Sequence, residues 1–402
     1  MGRKMRPLKI VICDDTNRPL SDLVNDLQAL APEGSPEIKV ISGAAINPIA
    51  RELEARRRWA AHVSNPPQPG AQAPIAWGTH AFDEVDILIL DYNFIELEDV
   101  WGLTGQRLAY LARCYSNCKY IVVLNQFGTN RFDLTLRGHP ETHADLHIGS
   151  EQLTNPGLWR SDGWSEFRPW SWPVLPDAVA RLECRIAQVT DALDAPVMEW
   201  LGLEHARAGL PRTVLQFLKD DRTTFKRFIY ESGHGFESTD REFDQASLPR
   251  IAASRIAKWL EYLVFAGQDL LIDVPRLISR FPSLIGTESF TRLQGRQLTP
   301  AVTTGLGLRE ELIADHAYPR RDWLSRAAWF RTRVMDEQRL PENAEDRPSE
   351  TDLRFCEDTS SFLERNSTRG FVADLASPYV QRFVRRPGFD GVEYQPSIRF
   401  SL

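Results

Sequence analysis

The chain of 402 residues contains no apolar run long enough to cross a bilayer, and its opening residues lack a secretory signal pattern. These absences predict a cytoplasmic protein with no membrane partner. Cysteine is scarce: the five stand at 13, 114, 118, 184 and 356, an odd and scattered set that offers no disulfide framework. Cys114 and Cys118 are close in sequence, but His139 and His143 complete no familiar zinc spacing, so buried reduced thiols are expected. Lysine is rarer than composition would suggest, with seven among 48 basic residues. The net charge of −7 argues against a protein that coats nucleic acid or an anionic membrane. No Walker-type phosphate loop, no dinucleotide-binding glycine fingerprint after a strand and no paired-histidine zinc motif occurs.

What remains is an ordinary globular balance, 42% hydrophobic and 26% charged, in a chain long enough for two or three domains. Its most informative segments are two short apolar runs that stop on carboxylates. Leu8 to Asp15 reads Leu-Lys-Ile-Val-Ile-Cys-Asp-Asp, and Val85 to Asp91 reads Val-Asp-Ile-Leu-Ile-Leu-Asp. Such runs are what central parallel strands look like when both faces are covered. In an open α/β sheet the site lies beyond the carboxyl ends of the strands, so Asp14, Asp15 and Asp91 are expected to converge there. Three carboxylates in one space repel unless a hard cation lies among them, and Mg²⁺ suits oxygen donors. The competing reading makes each aspartate a cap for the helix after it.

Between these strands, Leu20, Leu23, Val24, Leu27 and Leu30 recur at helical spacing and Glu37–Ser42 reads as a strand. A charged helix around Pro48 to Val63 follows, and prolines 66, 67, 69 and 74 predict an irregular surface excursion over residues 60 to 80. A helix is expected from Thr104 to about Tyr115, then strands at Lys119–Leu124 and Ala144–Ile148. This alternation predicts an α/β domain over 1–150, a doubly wound parallel sheet with an insertion at about 47–82. Residues 151–175 hold Trp159, Trp164, Trp170 and Trp172, an ordered connector whose indoles should pack between the halves. Residues 176–402 read as mainly α-helical, with helices including 249–265, 308–316 and 320–337, an exposed loop at 341–352 and little sheet. Arg320, Arg321, Arg326, Arg331 and Arg333 would form a basic helical face, though the interleaved Trp323, Trp329 and Phe330 favour a docked amphipathic helix.

The acids, the βα alternation and a glycine-containing loop (Gly102, Gly105) leading into a helix with Leu108, Leu111 and Ala112 on its apolar side resemble the receiver domain of bacterial two-component response regulators, a flavodoxin-like fold, over residues 8 to about 150. That resemblance implies that Asp91 is a phospho-acceptor served by a histidine kinase. It also implies Mg²⁺ held by Asp14, Asp15, Asp91 and the backbone carbonyl of Asn93. Two departures stand out. The position where receivers carry Ser or Thr falls on Asn125, which retains a phosphate hydrogen bond but no hydroxyl. No lysine lies between 120 and 218, where receivers place one after the fifth strand; Arg137 and His147 are the available substitutes. Taken whole, the chain more loosely resembles response-receiver proteins encoded beside GHKL/Hsp90-type ATPases in bacterial defence clusters. It implies a signalling regulator whose helical region engages other proteins, or alternatively a phosphorylation-independent pseudo-receiver adaptor. A transcription factor is disfavoured by charge. A dehalogenase-like phosphatase is disfavoured because Asn93 stands where that family needs a second aspartate. The second half carries no independent catalytic motif.

Overall fold

The computed structural model describes residues 6–15, 20–30, 36–63, 78–94, 103–125, 142–160, 167–220, 222–231, 245–281, 284–285, 293–298, 314–336, 353–371 and 382–385. The first layer begins with strand β1 (Lys9–Asp14), helix α1 (Ser21–Leu30), strand β2 (Glu37–Ser42) and helix α2 (Ile46–Val63). Strand β3 (Ile87–Leu90), helix α3 (Gly105–Tyr115) and strands β4 (Tyr120–Asn125) and β5 (Leu146–Gly149) complete it. The five strands form one parallel sheet in the order β2-β1-β3-β4-β5, so the layer is an α/β fold. Strands β1, β3 and β4 are apolar throughout their centres because both faces are covered; Ile10, Ile12, Ile87, Leu88, Ile89, Ile121 and Val122 are all buried.

α2 is longer than a crossover requires, and Arg56 fastens it. Its guanidinium bonds the carbonyls of Tyr115 at 3.1 Å and Gly78 at 2.7 Å and pairs with Glu52 at 3.0 Å. Val63 still belongs to α2 and residues 78–80 are irregular, while 64–77, the bulk of the expected excursion, lie outside the described residues.

Helix α4 (Leu175–Thr190) opens with Pro176 in its first turn, where the missing N–H costs nothing. Short helices α5 (Val197–Trp200), α6 (Arg212–Gln216) and α7 (Phe225–Glu231) precede α8 (Leu248–Trp259), which runs into one π-helical turn over Leu260–Val264. α8 packs against both α3 and α4. Beyond it come β6 (Leu271–Asp273), α9 (Val274–Arg280), β7 (Ala328–Phe330), α10 (Arg331–Asp336) and four short strands: β8 (Leu353–Cys356), β9 (Ser361–Glu364), β10 (Thr368–Phe371) and β11 (Arg382–Arg385). β6 pairs with β7, and β10-β11-β8-β9 form a second sheet.

Three expectations for this half are corrected. The region holds six strands among the described residues rather than little sheet. The helix expected over 308–316 shows only a 3-10 turn at Ala314–His316 among its described residues. The helix expected over 320–337 is a 3-10 turn at Arg321–Trp323, then β7, then α10. The arginines there do not share one solvated helical face, although Arg321 and Arg333 are exposed. Arg326 is buried between Glu261 at 2.9 Å and Asp273 at 3.0 Å, and Arg320 lies 3.8 Å over the Trp200 ring. A buried guanidinium needs partners on several sides, and the turn and strand that precede α10 supply them where one continuous helix would not.

Trp159, Trp170 and Trp172 are buried, whereas Trp164 lies outside the described residues. Trp159 donates its indole N–H to Leu153 O at 2.8 Å and Trp170 donates to Asp273 Oδ2 at 2.8 Å. One apolar cluster joins Ile10 and Val122 of the sheet to Trp172, Trp259 and Phe330, and a second gathers Trp170, Leu277, Phe355 and Phe362. All five cysteines are free thiols; Cys184 is exposed and the other four are buried. No helix among the described residues is long and apolar enough to cross a membrane.

Candidate functional site

The register of β1 and β3 decides where the acids go. Cys13 pairs with Leu90, and one residue further on the Asp91 amide donates to the Cys13 carbonyl at 3.0 Å. Asp14 and Asp91 therefore leave neighbouring strands at the same carboxyl-terminal edge, with Asp15 next along the chain. Asp15 is buried, while Asp14 and Asp91 are half-buried. Burial pushes the Asp91 carboxyl up to about 6, helped by the charges of Asp14 and Asp15 and opposed by the Tyr92 amide, which donates to Oδ1 at 2.7 Å.

The floor beneath Asp91 is the start of α3. Thr104 caps that helix by accepting from the Arg107 amide at 3.1 Å, and the Gly105 amide donates to Tyr92 O at 2.8 Å. A Cβ on Gly105 would stand 2.1 Å from the Asp91 carbonyl oxygen, so the approach of helix to loop requires glycine here. Asn93 forms an isolated antiparallel bridge with Thr104. The Gly105–Tyr92 bond flanks that bridge and does not use the Asn93 carbonyl.

At the neighbouring strand ends, Asn125 pairs with Gly149 across β4 and β5. Gly149 donates its amide to Gln152 Oε1 at 2.6 Å, so β5 ends on a backbone turn with no cationic side chain. His147 cannot act as a cation in its place. Its ring is buried, Nε2 lies 2.6 Å from the Gln106 amide nitrogen, and burial, aided by the Lys258 charge, holds it down at about 3. It is a neutral imidazole. Arg137, the other substitute, lies outside the described residues.

The donor chemistry at the Asp91 corner is all oxygen, the set a hard cation takes, and a bound cation would reverse the repulsion that raises Asp91. Yet among the described residues no three His, Cys, Asp or Glu side chains are gathered tightly enough to hold a metal ion. The corner thus has the right chemistry without a closed ligand set. The sequence reading left two features out: how closely Gly105, read there only as part of a loop before a helix, approaches Asp91, and the chain Thr142–Gln106–His147, in which Thr142 Oγ1 donates to Gln106 Oε1. A glycine directly after a helix-capping threonine was the only signal for the first; nothing in the sequence marks the second.

No family model, curated protein or solved structure matches the chain.

Proposed function

We propose that the protein is a signalling regulator whose first layer works as a receiver, with Asp91 accepting a phosphoryl group from the phosphohistidine of a kinase. The observation that carries this reading is the Asp91 amide bond to the Cys13 carbonyl, which sets Asp91 beside Asp14 at the carboxyl edge of the sheet. The strand order β2-β1-β3-β4-β5 is also the order of flavodoxin-like doubly wound sheets, in which ligands sit where the order reverses, here between β1 and β3. An Asp91 oxygen would attack phosphorus in line, the P–N bond would break, and the imidazole would leave with a proton, giving an acyl phosphate. Asp14, Asp15, Asp91 and the Asn93 carbonyl would hold Mg²⁺, whose charge would offset that on the equatorial oxygens. The partner-facing output would be the region after residue 175, which α8 ties to the layer.

A second reading has its own observation. β5 ends at Gly149 with its amide turned to Gln152, and His147 is neutral, so the lysine-based read-out of a receiver has no equivalent there among the described residues. A pseudo-receiver adaptor, binding a GHKL/Hsp90-type ATPase or similar partner without phosphate, follows from that. Intact-mass measurement after incubation with acetyl phosphate and Mg²⁺ separates the two. One added phosphoryl group, absent in Asp91→Asn, supports the first; an unchanged mass leaves the adaptor.

A further inference from the structure

We propose that the cavity between α4 and α8 is a binding site for a phosphate group, either free phosphate or the head of a small phosphomonoester. The site lies at the amino ends of β4 and β5, away from Asp91, so it stands independently of the reading above. The cavity is small, about 50 Å³, and opens to solvent. Two helical stripes make its walls. From α4 come Ala178, Arg181, Leu182 and Arg185; from α8 and its π-helical turn come Ser254, Ala257, Lys258, Glu261 and Tyr262. Both sets step by three and four residues, the spacing of one helix face. The π-helical turn carries Glu261 and Tyr262, and such local insertions recur at functional sites because they redirect side chains.

The charges in this cavity are unevenly satisfied. Both carboxylates are already committed. Asp145 accepts from the Arg113 guanidinium, the Ser254 hydroxyl and the Ile121 amide at 2.7 Å. Glu261 accepts from the Ser325 amide at 2.8 Å, the Ser325 hydroxyl at 2.6 Å and Arg326 Nη1 at 2.9 Å. The lining cations are differently placed. Arg185 donates Nε to a neutral backbone carbonyl, Asp322 O at 2.7 Å, and Arg181 Nε is buried with no hydrogen-bond partner. Among the described residues neither arginine has a carboxylate in ion-pair range. Lys258 reaches the same space while donating to the carbonyls of Thr142 and Ala144. Burial and the Arg181 charge together push Arg185 down to about 10, against the opposing pull of the Glu261 and Asp145 charges, neither of which hydrogen-bonds it. Two guanidiniums one helical turn apart, facing a cavity whose carboxylates are spent, are best satisfied by an anion that accepts several parallel N–H bonds. Phosphate has that geometry, and arginine is the side chain that matches it. Ser171, at the rim, adds a hydroxyl.

The test is isothermal titration of the full chain with inorganic phosphate and, separately, with glucose 6-phosphate, at constant ionic strength against chloride, with succinate as a dicarboxylate control. Saturable binding of either phosphate probe is expected. Binding of the ester more tightly than free phosphate identifies the phosphomonoester as source, and the reverse identifies the free ion. Arg181→Gln and Arg181→Lys should each weaken binding by roughly ten-fold or more, since the second keeps the charge but loses the fork. Ser171→Ala, at the rim and away from the helix packing, gives a smaller loss and serves if the arginine variants do not fold. No saturable binding of either phosphate probe, succinate binding in their place, or affinity unchanged in both Arg181→Gln and Ser171→Ala would overturn the proposal.

Discussion

Ser254 on α8 donates its hydroxyl to Asp145, the residue just before β5, across 109 positions of sequence. The same carboxylate receives Arg113 from α3 and the Ile121 amide from β4. One buried acid thus joins two elements of the sheet layer to a helix of the second half. Close by, Arg250 bonds the Arg113 carbonyl at 3.2 Å and Asn117 Oδ1 at 3.0 Å, so α8 is pinned near its start and at its middle.

Asp145→Ala should therefore be one of the most damaging single changes in the chain. It leaves Arg113, which is fully buried, without its counter-charge, and losing one partner of such a pair costs about 3–5 kcal/mol. Urea unfolding measures this directly. Pairing the change with Arg113→Met should recover much of the loss; a double variant no better than Asp145→Ala contradicts the assignment.

Unfolding of the parent chain should be a single cooperative transition by heat or urea. Trp159 and Trp172 share an apolar cluster with the sheet and with α8, so the halves have no dry seam along which to separate. Limited proteolysis between residues 155 and 175 that releases two stable folded pieces would disprove it.

The pH dependence at Asp91 has a definite sign. Its folded value, about 6, lies above the unfolded 3.8, so ionising this carboxylate works against the fold. The contribution is intact below 3.8 and is lost as pH rises through about 6. Asp91→Asn should thus melt higher than the parent above that window and equal to it below, by a modest margin because the group is partly exposed. Melting curves across the range check both arms. A variant less stable than the parent at pH 8 would refute it.

Mg²⁺ should act in the opposite sense, stabilising the parent and leaving Asp91→Asn little changed. The effect is about 2.7 kcal/mol when the ion is at a hundred times its dissociation constant. Equal shifts in both proteins would place the ion elsewhere.

Gly105→Ala should destabilise by about 1–3 kcal/mol, because its new methyl group meets backbone rather than a side chain that can swing aside. The same change should weaken any Mg²⁺ effect on melting, since the Asp91 loop must shift to admit it. An alanine variant as stable as the parent would mean that α3 slides without cost.

Much of the first layer was legible because its signals are local. β1, β3 and β4 are unbroken apolar runs, and Asp14 and Asp91 mark where they stop. The second half resisted for a physical reason. β7 is three residues long, and the Arg326 pair that shapes its approach links positions 65 and 53 residues apart, which no periodicity reports. Strands β8 to β11 have four residues each, too few to show alternation. The polar side of the α8 docking was hidden as well, because Arg250, Ser254 and Lys258 bond the sheet layer there and polar residues on a helix ordinarily signal solvent. His147 was misjudged by the same token: its type suggested a charge, and only its burial shows otherwise.

Cys184 sits on α4 between Arg181 and Arg185, and its thiol contacts Asp322 and Gln188 at the surface. Slight burial and the Asp322 carboxylate raise its pKa, so it reacts slowly at neutral pH, but the other four thiols are shielded inside the protein. Nature has in effect installed one attachment point for a fluorophore. A maleimide dye added there at mildly alkaline pH would ride on the helix that walls the cavity and report, without mutation, when that helix moves.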